Sequence, residues 1–142
     1  MSVVDALQGA LTAEHAAVAV LAEVGGRLSA SQYPRQSSLV RSAYETHRGR
    51  RDHLLAEVGR RGATPVTPAP AYSVRSEDRS ADNLLAIALR TEERCAEAYA
   101  QLVAGTTGAQ RRWAVAALTD SARRSLTLGG RPTAFPGLPE LA

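Results

Sequence analysis

The chain contains no lysine: all 17 basic residues are arginine, a pattern we ascribe mainly to codon bias in a GC-rich genome. Among 142 residues there is one cysteine, one methionine, one phenylalanine and one tryptophan. The single Cys95 excludes an internal disulfide and any multi-cysteine metal site. So few aromatics argue against a β-sandwich or barrel, because strands draw on β-branched and aromatic side chains. No uncharged run is long enough for a membrane-spanning helix. Residues 1–5 carry no basic segment leading into an apolar one, so a cytoplasmic protein with no membrane partner is expected. A net charge of +3 is too small to signal a nucleic-acid partner, and with 44% hydrophobic residues it does not fit disorder. There is no phosphate-binding glycine loop, zinc spacing or nucleophile elbow, so no residue is assigned a catalytic or cofactor-binding role, and no small-molecule ligand is indicated.

Alanine occupies the space the aromatics leave, with 27 copies. It is the strongest helix former, and apolar residues recur at steps of three and four. The pattern predicts an all-α single domain over residues 1–142 with four helices. Helix one covers about Ser2–Ser29, with a seam through Leu7, Leu11, Glu14, Val18 and Leu21. Gly25-Gly26 weakens it and admits a close neighbour. Helix two opens at Pro34 and ends near Arg61 before Gly62, with a seam through Val40, Tyr44, His47, Arg51, Leu54 and Val58. Ser80 or Asp82 caps helix three, which runs to about Ala104 through Leu85, Ala88, Glu92, Cys95, Tyr99 and Leu102. Helix four covers about Ala109–Leu128 and has two candidate stripes: Trp113, Ala117, Asp120 and Arg124, or Val115, Leu118 and Ala122. Residues 130–142, with three prolines, form an irregular tail expected to fold back through Phe135 and Leu138.

The link between helices two and three, Ala63–Arg79, holds Pro65, Pro68 and Pro70 and cannot be a regular helix. Its 17 residues reach roughly 50 Å when extended, against about 38 Å for a 25-residue helix. The other two links are short and make antiparallel hairpins. One long crossover that leaves helices two and three parallel is the arrangement of ferritin-like four-helix bundles; an up-down-up-down bundle with a slack loop is the alternative.

Each helix carries an ionisable residue near its midpoint: Glu14, His47, Glu92 and Asp120. Midpoints stay level whichever way a helix runs, so the four can meet in one core layer. Buried charges must be paired, metal-bound or neutralised. Carboxylates and imidazole from facing helices build di-iron sites in bundle cores, using Glu-x-x-His on two of the helices. Here Tyr44 stands where helix two needs the Glu, and Arg123 where helix four needs the His. Both motifs are broken, although three carboxylates and one imidazole suffice for one iron or manganese ion, in a metal-dependent oxidase. The preferred reading is a metal-free polar centre in which an arginine competes with the metal. Arg51, one turn beyond His47, is the first candidate; which of Arg50, Arg51, Arg123 or Arg124 faces inward is left open. Cys95 reads as inert packing and His15 as a surface or interhelical residue. His53 falls off the seam. The arginine pairs 50-51, 60-61, 111-112 and 123-124 lack the interleaved aromatics of an RNA-binding face.

Ala13-Glu14-His15-Ala16-Ala17, the His47–Asp52 stretch, Arg61-Gly62-Ala63-Thr64-Pro65 leading to Ala71-Tyr72, and Ala134-Phe135-Pro136-Gly137-Leu138-Pro139 together resemble an actinobacterial ferritin-like family of unknown function. The likeness runs in order along nearly the whole chain. It implies a ferritin-like four-helix fold in a bacterial cytoplasmic protein and no established activity. The departures at Tyr44 and Arg123 speak against ferritin-type iron chemistry. The expectation is therefore a non-catalytic binding or assembly protein with a degenerate metal site, self-associating as a homodimer through its alanine-rich faces.

Overall fold

The computed structural model describes residues 1–72, 74 and 77–141. It contains four α-helices, α1 (Val3–Arg27), α2 (Pro34–Arg60), α3 (Ala81–Gly105) and α4 (Gly108–Thr127), followed by a 3-10 turn at Pro139–Leu141, with no strand among the described residues. The helix ends follow from local chemistry. Ser2 and Asp5 form a reciprocal capping box: the Asp5 amide donates to Ser2 Oγ and the Ser2 amide donates to Asp5 Oδ2. Pro34 occupies the first turn of α2, where its missing N–H leaves no bond unmade. Gly62, at φ 71°, turns the chain out of α2. Of the two cap candidates for α3, Ser80 is the one used; its hydroxyl accepts from the Asn83 amide.

Pairwise contacts fix the helix directions. Gly25 of α1 lies 3.6 Å, by its would-be Cβ, from Val40 of α2, and Glu14 meets His47, so α1 and α2 are antiparallel. Gly105 of α3 faces Ala6 and Tyr99 meets Glu14, so α1 and α3 are antiparallel too. Helices α2 and α3 therefore run the same way, and the chain between them must climb the length of the molecule. It starts along α1: Gln8 Nε2 donates to Thr64 O at 2.7 Å, the Val66 amide donates to Gln8 Oε1 at 2.8 Å, and His15 Nε2 lies 3.0 Å from Val66 O. His15 is thus a buried clasp for this linker. The proximity at Gly25 is ordinary van der Waals contact within the chain, and Gly26 faces open space.

The core is built from Leu7, Leu11, Leu21, Leu54, Leu84 and Leu102, all essentially inaccessible, with alanines between them. Helix α4 departs from both stripes expected of it. Its buried line is Ala114, Ala117, Ser121 and Ser125. Small residues let α4 dock closely against α3, while the long side chains of Arg50 and Arg124 bridge it to α2 and Trp113 and Asp120 flank the contact. The tail also differs from expectation in part. Gly137 presses on α3, where a Cβ would fall 2.4 Å from Ala96 O, and Leu138 is half-buried, but Phe135 points outward and is 52% exposed.

Candidate functional site

Glu14 from α1, His47 from α2 and Glu92 from α3 meet at mid-height, and each is completely buried. His47 lies between the two carboxylates. Its Nδ1 is 2.7 Å from Glu14 Oε2 and its Nε2 is 3.1 Å from Glu92 Oε2. The second oxygen of Glu14 accepts a short hydrogen bond from the Tyr99 hydroxyl. Cys95, one turn before Tyr99 on α3, is also buried; its thiol sits 4.0 Å from Ala13 O. Glu92 is less well served: the His47 contact is an ion pair poorly aligned for hydrogen bonding, and among the described residues neither Glu92 oxygen receives a hydrogen bond.

Burial by itself would lower the imidazole pKa. Contacts with Cys95, Glu14 and Glu92 outweigh it and push His47 up to about 12. Where no metal displaces its proton, His47 is therefore an imidazolium at neutral pH. Burial likewise pushes the Cys95 thiol up, with the neighbouring carboxylates adding to it, so the thiolate is not the resting form. Burial, then the charge on Glu14, holds the Tyr99 phenol well above its ordinary value, and it stays a donor.

Asp120 does not join this layer. Its side chain is 40% exposed at the seam between α2 and α4, where Arg50 Nη2 donates to Oδ2 at 2.7 Å and Arg124 Nε at 2.8 Å. Burial favours its neutral form, but Arg124 and then Arg50 hold its pKa below the usual carboxylate value. Arg51 is likewise outside: it turns away from the core and bonds the exposed Asp52. The inward arginine is Arg50. It bonds Ser121 Oγ at 3.1 Å and stands 5.4 Å above the Tyr99 ring, without touching Glu14 or Glu92. Arg124 reaches across to Thr46 and Ser42, and Arg123 is exposed. Consecutive residues on a helix are rotated by about 100°, enough to send Arg50 inward and Arg51 outward.

Tyr44, at the position of the missing Glu, is half-buried near the surface beside Arg48 and takes no part in the centre. His53 stacks on Trp113 with ring centroids 4.2 Å apart, and Trp113 in turn meets the Tyr99 ring edge-on at 5.7 Å. Nothing in the spacing marks this stack, because His53 and Trp113 lie beside the seams of their helices. Arg60 and Arg61 converge on Glu57, as salt-bridge partners on a solvated face do.

Three helices thus supply carboxylate, imidazole and thiol groups to one buried point. Donor atoms of Glu14, His47 and Cys95 lie within 4.8 Å of one another. The arrangement can stabilise a buried positive charge, whether the proton on His47 or a metal ion in its place.

Residues 6–140 match the family described as a domain of unknown function, DUF4439. A crystal structure of a conserved hypothetical protein from Mycobacterium tuberculosis is similar, with 31% sequence identity and a TM-score of 0.78; the match covers 87% of this chain and 92% of that one. No curated protein matches the sequence. With nearly its full length aligned, the chain belongs to the DUF4439 family of domains of unknown function.

Proposed function

We propose that this chain is a ferritin-like bundle whose centre holds a protonated histidine in place of a metal, and that it works as a non-catalytic binding or assembly protein in the cytoplasm, self-associating as a dimer. The observation that carries the reading is His47 with a carboxylate against each ring nitrogen, at 2.7 and 3.1 Å. A metal-bound imidazole must give up a proton and offer a free lone pair. Here Nδ1 serves as a donor to Glu14 and Nε2 faces Glu92 at ion-pair distance, and Asp120, which would complete a four-ligand set, is bound to two arginines. The parallel run of α2 and α3 and the linker laid along α1 support the one-crossover topology of ferritin-like bundles. A buried polar centre shared by three helices specifies their register, since a slipped helix would strand an unpaired charge.

One observation favours a second reading, a metal-dependent oxidase. Glu92 carries two buried oxygens without hydrogen-bond donors, beside the clustered Glu14, His47 and Cys95 donor atoms. Those four residues would hold an iron or manganese ion, which would supply redox chemistry. Elemental analysis of protein purified without chelators separates the two. The proposal expects iron and manganese far below one per chain; a stoichiometric metal that is lost in His47→Ala overturns it.

A further inference from the structure

We infer that the outward face of α4, together with the C-terminal tail, is the surface on which a second copy of this chain docks in a two-fold pair. The inference rests on the self-association proposed above and names its surface and its residues. Helix α4 has two apolar lines. The inward one is alanine and serine. The second is Val115, Leu118, Ala122 and Leu126, at helical steps of three and four; Leu118 packs partly against the core, but the ends of the line are open among the described residues, with Val115 44% and Leu126 45% exposed. Phe135, the one phenylalanine, continues this surface at 52% exposure, although a residue of its size ordinarily contributes to a core. Leu126 and Phe135 line a groove of about 510 Å³ between α3, α4 and the tail. Gly137, pressed on Ala96, sets the tail against α3 and so holds the groove open.

Charge points to the occupant. The same groove is lined by Glu93 and Glu97 from α3 and by Arg123 and Arg131 from α4 and the tail. All four are exposed, and among the described residues none of them makes an ion pair. With glutamates on the α3 wall and arginines on the α4 and tail wall, the groove is complementary to itself: a two-fold rotation about an axis along the groove brings the glutamates of one copy to the arginines of the other. An acidic or a basic partner would meet half of this set as repulsion.

The test is sedimentation velocity on the full chain at rising concentration. The wild type should dimerise, and L126D and F135D should raise the dissociation constant by at least about tenfold while keeping the helical circular-dichroism spectrum. A dimer indifferent to both substitutions overturns this surface but leaves self-association standing; a wild type monomeric throughout overturns both. Two charge variants keep the question open to disproof if an apolar variant misfolds. The chain with R123E and R131E, and the chain with E93R and E97R, should each fail to dimerise alone and should pair when mixed. Failure of the folded mixture to pair overturns the two-fold arrangement.

Discussion

His47 Nδ1 stands 2.7 Å from Glu14 Oε2, with both side chains sealed from solvent and 33 residues apart in sequence. The imidazolium is fixed on its other side by Glu92, and Glu14 on its other oxygen by Tyr99. Removing any one member leaves a buried partner with unmet charge or hydrogen bonding, so the group should respond to mutation as a unit.

Glu14→Ala should destabilise the protein by about 3–5 kcal/mol, because it strands the His47 imidazolium and removes the acceptor of the Tyr99 hydroxyl. Glu14→Gln, which keeps the volume and one acceptor oxygen, should be milder. Urea denaturation followed by circular dichroism measures both. A loss below about 1 kcal/mol for Glu14→Ala would show that the pair does not hold the helices together.

Stability should fall as the pH rises from neutrality. The folded protein keeps a proton on His47 up to about pH 12, whereas the unfolded chain releases it near 6.5. The contribution is complete below 6.5 and is lost progressively up to about 12, with a limiting slope of about 1.4 kcal/mol per pH unit. Denaturation midpoints between about pH 6.5 and 7.5, below the titration of the unfolded chain's cysteine and tyrosine, isolate it. His47→Gln should flatten the slope; an equal slope in both proteins would assign it to other groups.

Arg50→Ala and Arg51→Ala should differ despite being neighbours. Arg50 bonds Asp120 and Ser121 from a largely buried position, and its loss should cost about 1.5–3 kcal/mol. Arg51 pairs with an exposed aspartate next in sequence, and its loss should fall within about 0.5 kcal/mol of zero. Equal effects on thermal unfolding would contradict the orientation of the two side chains.

Gly137→Ala should release the tail. Residue 137 has φ 78°, and an added Cβ would lie 2.4 Å from Ala96 O, which belongs to helix backbone and cannot move aside. Limited proteolysis should then cleave within residues 130–141 much faster than in the wild type, while the four helices stay intact. Unchanged cleavage would mean that the tail is not anchored there.

Much of this molecule was legible one residue at a time. Steps of three and four, Pro34 and Gly62 placed α1, α2 and α3 within two residues at each end, since these signals act within a few residues. The meeting of Glu14, His47 and Glu92 followed from their equal distances along their helices. Asp120 satisfied the same arithmetic and still lies elsewhere, because α4 turns its alanines and serines inward and puts residue 120 on the flank. Its stripe was ambiguous because α4 has apolar residues on two faces, and periodicity counts both alike.

The amino-acid sequence alone determined that the chain is helical, where its four helices begin and end to within two residues, and that a long proline-bearing link separates two hairpins; these depend on propensity, capping and spacing, which are local. Only the tertiary structure decided which side chains meet the buried carboxylates. That choice depends on the rotation of each helix about its own axis, which turns Arg50 toward α4 and Arg51 toward Asp52, and leaves His47, not an arginine, held between Glu14 and Glu92.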